Sequence, residues 1–157
     1  MEGTRPILIE LQALVSPTNF GVPRRTSIGV DYNRVSLLLA VLEKRAGLHL
    51  MGQDVFLNVV GGIRIDEPAI DLGILAAVTS SFKEIPIDPR TFVIGEVGLA
   101  GEIRAISQIE ARIKEGAKLG FKRVIIPINN AKKTSKVKDI EVIGVASVDE
   151  TLEILFR

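Results

Sequence analysis

The chain has 157 residues, of which 46% are hydrophobic, 25% charged and 4% aromatic, enough for one globular domain that folds without covalent staples. It has no cysteine and one histidine, His49, which excludes disulfide scaffolds, thiolate zinc sites, iron–sulfur clusters and cysteine nucleophiles and leaves no second histidine to complete a metal site. Net charge is +1, no apolar run approaches the ~20 residues that span a bilayer, and the start MEGTRP lacks an apolar signal core; a soluble, cytoplasmic single domain over 1–157 with no membrane partner is expected.

The stretch PILIELQALV over 6–15 is apolar and β-prone and predicts a strand. The following SPTNFGVPRRTSIG is rich in Pro, Gly and small polar residues and predicts an exposed basic loop or bent strand. Asp31 can cap the next helix, whose Val35, Leu38, Leu39, Leu42 and Ala46 recur at helical spacing, with Gly47 as its stop. DVFLNVVGG alternates as a strand, Val55, Leu57 and Val59 on one face and Phe56, Asn58 and Val60 on the other, both largely buried. Residues 69–82 read as an apolar core helix with Asp71 near its start. TFVIGEVGLAGEIRAI reads as a hairpin broken by Gly95, Gly98 and Gly101. A helix carrying Ile106, Ile109, Ile113 and Ala117, the short strand KRVIIP, the last strand IEVIGV and a final helix capped by Ser147 or Asp149 complete the chain. The strand–helix–strand alternation of this half predicts a parallel pair. The whole predicts an α+β or α/β domain of two layers without repeats or low-complexity segments.

The charge is unevenly spread. Residues 23–45 carry Arg24, Arg25, Arg34, Lys44 and Arg45 against Asp31 and Glu43. Residues 112–138 carry Arg112, Lys114, Lys118, Lys122, Arg123, Lys132, Lys133, Lys136 and Lys138 against Glu115 alone. Two readings are open: lysines that solvate helix surfaces, or one basic face for a polyanion if the segments meet in space. No G-x-x-x-x-G-K-[ST] string is present, so no phosphate-cradling loop is expected. The glycines of GEVGLAGE fit hairpin turns, His49 has no acid at helical spacing, and Asp66 and Glu67 before Pro68 fit turn and helix-cap roles.

The order DVFLNVVGG, DEPAIDLGILAA, VIGEVGLAGEIRAI, QIEARIKEGAKLGFKRVIIP, VDETLEIL resembles the proteolytic domain of Lon-type peptidases and implies their fold, a Lon proteolytic-domain-like or ribosomal protein S5 domain 2-like arrangement. In that family a serine attacks the peptide carbonyl and a desolvated lysine takes its proton. The serine position of the D-G-P-S-A-G motif is Ala69 here, and the lysine position of P-I-G-G-L-K is Glu110. The resemblance therefore implies a degenerate dyad and no catalytic residue; a displaced nucleophile at Ser80, Ser81 or Ser107 is the alternative, an active Lon-type serine peptidase.

The strings EGTRP, VSPTNFGVPRRTSIGVDYNRVSLLLAVLEKRAGL and DVFLNVVGGIRIDEPAIDLGILAA are, more specifically, similar to the C-terminal Lon-like domain of the bacterial RadA (Sms) family. That family implies recombinational DNA repair: ring-forming, ATP-driven motors on branched DNA, in which this domain is a hexameric assembly scaffold and a DNA-contacting surface. ATP, Mg and Zn belong to upstream domains, so the domain itself is expected to need no cofactor. Single-stranded and branched DNA, further copies of the chain and the recombinase are the implied partners. The DNA-binding residues are then Arg24, Arg25, Arg34, Lys44, Arg45, Lys118, Lys122, Arg123, Lys132, Lys133, Lys136 and Lys138. Lysines and arginines neutralise phosphates without reading bases, and one Tyr with no Trp argues against a stacking platform.

Overall fold

The computed structural model describes residues 5–19 and 21–157; residues 1–4 of the MEGTRP start and Phe20 of the NFGVP string lie outside the described residues. β1 (Leu11–Pro17) begins later than the apolar pattern predicts. Residues 6–10 are not strand, and Ile7 and Leu8 are exposed. β1 runs antiparallel to β3 (Gln53–Val59) in the register Leu11↔Val59 to Pro17↔Gln53. The basic loop contains a four-residue strand, β2 (Arg25–Ile28), that pairs parallel with β3, so the first sheet has the order β1-β3-β2. Val55, Leu57 and Val59 are buried as expected. The other face is only half-buried, and Val60, predicted as its last residue, lies beyond the strand and is exposed.

α1 (Tyr32–Ala46) starts and stops where its capping chemistry dictates. The Asp31 carboxylate accepts from the Arg34 N–H at 3.2 Å, and Gly47 takes the left-handed conformation, φ 71°, that ends the helix. The predicted core helix opens with a single 3-10 turn, Pro68–Ile70, and continues as α2 (Asp71–Lys83). Apolar on nearly all sides, α2 packs against β1 and touches α1.

The expected long hairpin divides in two. β4 (Thr91–Val93) joins a different sheet, and only β5 (Glu96–Val97) and β6 (Ile103–Arg104) pair as a hairpin. Gly95 is what separates them, because its N–H donates to the Ala69 carbonyl and its own carbonyl accepts from Leu72. α3 (Ile109–Lys118), β7 (Arg123–Pro127), the one-turn α4 (Ile128–Ala131), β8 (Glu141–Val145) and α5 (Val148–Leu155) follow. β4, β7 and β8 form a sheet parallel throughout, the predicted parallel pair and one strand more. Ser147 caps α5, accepting from the Glu150 N–H at 3.2 Å.

The core has two parts. The larger gathers α1, α2 and the inner face of the first sheet with Ile125 and Val145 from the second. The smaller packs Ile109 and Ile113 of α3 against Val124 and Ile126 of β7. β7 is thus covered on both faces, which is why it reads as an unbroken apolar run. The fold is a mixed α+β architecture whose described residues form one mixed sheet, one parallel sheet and the two-stranded antiparallel β5-β6 hairpin.

Candidate nucleic-acid interface

The structure places the two basic segments on different sheets and treats them differently. In the first, the side chains are held. Asp54, on β3 and only 6% exposed, accepts from the Arg24 backbone N–H at 2.8 Å and from the Thr18 hydroxyl at 2.8 Å, with the Arg24 guanidinium 3.5 Å away. The Arg24 guanidinium lies 5.8 Å from the centre of the Phe56 ring, within cation–π range, while its side chain stays 75% exposed. The Arg24 N–H bond, followed by the Thr18 bond, holds the Asp54 carboxyl below its ordinary range.

Arg25 is not the freely projecting loop residue the sequence predicts. It is half-buried at the start of β2, and its guanidinium donates to the carbonyls of Gln53 and, at 3.2 Å, Leu50. Those bonds tie β2 to the turn that enters β3. Arg34 is committed more deeply, forking onto Asp71, which is 1% exposed: Nε donates to Oδ1 at 3.0 Å and a terminal nitrogen donates to Oδ2. The same Oδ2 accepts from the Val97 N–H at 3.0 Å, so one carboxylate joins α1, α2 and β5. The Asp71 hydrogen bond raises the Arg34 pKa further above its already high ordinary value, against the opposing effect of burial. Arg45 donates from Nε to the Leu99 carbonyl at 3.4 Å and is otherwise exposed, as is Lys44.

The second segment has the opposite character. Lys118, Lys122, Lys132, Lys133, Lys136 and Lys138 are all exposed, and among the described residues none lies in an ion pair. The parallel register explains why part of this set gathers. Thr91, Arg123 and Glu141 are cross-strand partners at the start of β4, β7 and β8, so the residues entering these strands share one end of the sheet. The Arg90 carbonyl accepts from the N–H groups of Lys122 and Arg123, and the Glu141 N–H donates to the Lys122 carbonyl at 2.9 Å. Arg90, Lys122 and Lys138 therefore lead into neighbouring strands, with Lys118 just before them at the end of α3. Arg123 turns inward, its Nε donating to the Thr91 hydroxyl at 3.2 Å. Arg90 is a member that sequence reasoning missed: as an isolated charge in a turn it stands out only once the strands are aligned.

Ala69 is 5% exposed and belongs to the cluster of Ile109 and Ile113, while Glu110, next to Ile109, is exposed and accepts from the Ser135 N–H at 3.4 Å. Glu67, expected with Asp66 as a turn or capping acid, is the N-cap residue of the 3-10 turn, its carbonyl accepting from the Ile70 N–H at 3.3 Å with no capping bond from its side chain; the side chains form ion pairs, Asp66 with Arg64 at 3.4 Å and Glu67 with Arg112. A groove of about 990 Å³ runs beside Ala69, bounded by residues 6–11, α2, β4 and α3. The Ser80 hydroxyl donates to the Ile85 carbonyl at 2.6 Å and the Ser81 hydroxyl accepts from the Val15 N–H at 2.9 Å. Among the described residues no group of His and carboxylate side chains could hold a metal ion, and no helix is long and apolar enough to cross a membrane.

Residues 21–130 match the family described as subunit ChlI of Mg-chelatase. The DNA repair protein RadA of Bacillus subtilis is 62% identical over 97% of this chain, which corresponds to 33% of that protein. The DNA repair proteins RadA of Halalkalibacterium halodurans and Streptococcus pneumoniae are 58% and 53% identical over 98% and 99% of the chain, covering 34% and 37% of their lengths. The chain spans about a third of the length of the curated relatives it matches, and the resemblance to the RadA family read from its sequence stands.

Proposed function

From the premise that the chain belongs to the family described as subunit ChlI of Mg-chelatase and is similar along nearly its whole length to a third of DNA repair proteins RadA, we propose that it is a DNA-repair module that binds DNA without reading its sequence. The module does no proteolysis and serves as the scaffold on which copies of the longer protein assemble into a ring. The observation that carries the DNA-binding reading is the end of the parallel sheet where Arg90, Lys122 and Lys138 enter neighbouring strands and where exposed lysines have no acidic partner among the described residues. Cations held in that way neutralise phosphates and release counterions, and they offer nothing that distinguishes one base pair from another. Three acids, Asp88, Asp139 and Glu141, lie at the same end, and Asp88 is spent on Arg90 at 3.8 Å, so the cations there with no acidic partner among the described residues are Lys118, Lys122 and Lys138.

The absence of proteolysis follows from chemistry at two positions. The methyl group of Ala69 cannot attack a carbonyl, and the Glu110 carboxylate cannot stand in for a neutral amine. Ser80 and Ser81 have backbone groups as hydrogen-bond partners, with neither lysine nor histidine among them. Ring assembly draws on exposed apolar side chains such as Ile7, Leu14, Ile28 and Leu99.

A salt titration tests the DNA reading. Binding to single-stranded, double-stranded and branched DNA of unrelated sequences should weaken linearly in log–log form as salt rises, with a slope of about 0.9 per phosphate neutralised on duplex and about 0.7 on single strands. No binding to any of the three forms at low salt, or a strong preference for one sequence, overturns the proposal.

A further inference from the structure

Asp54, an acid only 6% exposed, sits directly against Arg24, one of the residues that the family resemblance assigns to DNA contact. Simple electrostatics makes it a defect: removing a negative charge beside Arg24 should tighten DNA binding. Its geometry argues the reverse. Three groups converge on this carboxylate: the Arg24 backbone N–H at 2.8 Å, the Thr18 hydroxyl at 2.8 Å, and the Arg24 guanidinium at 3.5 Å. Thr18 and Arg24 are the two ends of residues 18–24, and both are pinned to β3, since the Thr18 N–H also donates to the Gly52 carbonyl and the Arg24 carbonyl accepts from Val55. The guanidinium is further braced over the Phe56 ring.

We propose that Asp54 is a positioning residue for DNA binding, whose carboxylate fixes Arg24 in the one pose from which its exposed guanidinium meets a phosphate. This inference rests on the DNA-binding reading above. An unpositioned arginine on a surface loop samples many rotamers, and ordering it on contact costs conformational entropy that is subtracted from affinity. Here part of that ordering is in place before any ligand arrives, the Arg24 backbone by its bond to Asp54 and the guanidinium by the 3.5 Å contact to the same carboxylate and by the Phe56 ring. The main anchor is the Arg24 backbone N–H, so the 75% exposed side chain keeps most of its donors for a phosphate while its root is immobile. A fork of five donors on a fixed base is what bidentate phosphate recognition uses.

The inference predicts that Asp54→Asn, which deletes a negative charge, weakens duplex binding by about tenfold, the low end of the scale of one charge-assisted hydrogen bond. The salt slope should fall by about 0.9, the share of one phosphate contact. In the Arg24→Ala background the same substitution should have no further effect, because nothing remains to be positioned. Thr18→Val, which leaves the carboxylate and Arg24 in place and removes one of the bonds on that carboxylate, should weaken binding about threefold, less than Asp54→Asn does; it serves as the readout if Asp54→Asn does not fold. Amide hydrogen exchange of Arg24 should be protected in the parent chain, faster in Asp54→Asn, whose neutral amide oxygen accepts more weakly, and fastest in Asp54→Ala, which has no acceptor. Binding by Asp54→Asn as tight as or tighter than the parent, or a loss that simply adds to that of Arg24→Ala, overturns the positioning role while leaving the DNA reading intact. A parent chain that binds no DNA at any salt overturns both.

Discussion

The two basic regions differ in what their cations touch. On the first sheet and α1, Arg24, Arg25 and Arg34 each have named partners: a carboxylate and a ring, two carbonyls, a buried carboxylate. On the second sheet the exposed lysines have no acidic partner among the described residues. The contrast follows side-chain chemistry. A planar guanidinium with five donors can satisfy a fixed set of acceptors, while a hydrated ammonium on a flexible stem gains little from being fixed. One region is built for shape and the other for field. A substitution in the first should therefore be felt in stability before it is felt in binding, and a substitution in the second only in binding.

The largest effect expected is at Asp71. It accepts from Arg34 and from the Val97 N–H while 1% exposed, so Asp71→Ala leaves an arginine and a backbone donor without their acceptor at the junction of α1, α2 and β5. A loss of about 3–5 kcal/mol in urea unfolding is expected. Asp71→Ala with a stability close to the parent's would show that the first region is not held by its ion pairs and would dissolve the comparison.

Next in size is the acid limb of stability. Arg24 N–H and Thr18 hold the folded Asp54 carboxyl below its ordinary range. A depressed carboxylate contributes stability above its unfolded pKa and loses it as pH falls through the folded value. The parent chain should thus lose stability below the ordinary carboxylate range more steeply than Asp54→Asn does, and the two curves should converge in strong acid. Parallel curves would mean that Asp54 does not bond more tightly as an anion.

How much of this contrast was legible in the sequence depends on how far apart the interacting residues are. The caps of α1 and α5 were legible because Asp31 and Ser147 act on N–H groups three residues away. The strand β3 and the parallel pairing were legible from period and element order. The division of the 91–104 stretch between two sheets was not, since Gly95 is diverted by Ala69 and Leu72, which belong to another element. Neither were the fates of the arginines: Arg24 meets an acid 30 positions away and Arg34 one 37 positions away, and nothing local distinguishes them from Lys122 or Lys138. Charge counting located the basic segments and could not say which of their cations were already engaged. Arg90 was missed for the complementary reason, because only the register of three parallel strands brings it beside Lys122.

The smallest effect on stability and the clearest on binding belong to the lysines that follow α4. Lys132, Lys133, Lys136 and Lys138 are exposed and make no ion pair among the described residues, so replacing all four by alanine removes no buried contact and no partner. Each should change stability by no more than about 0.5 kcal/mol, the range of surface positions free of special features. If all four meet phosphates, the salt slope on duplex DNA should fall by about 3.6, at about 0.9 per contact. A fall near 0.9 would narrow the contact to one of them. Lys138, which leads into β8 at the end where Lys122 enters β7, is then the one whose single replacement should reproduce it, while replacing Lys132 and Lys133, on the turn after α4, should not. A stable quadruple variant with an unchanged slope would make these lysines solvated surface and confine the interface to the cations that the fold holds in place.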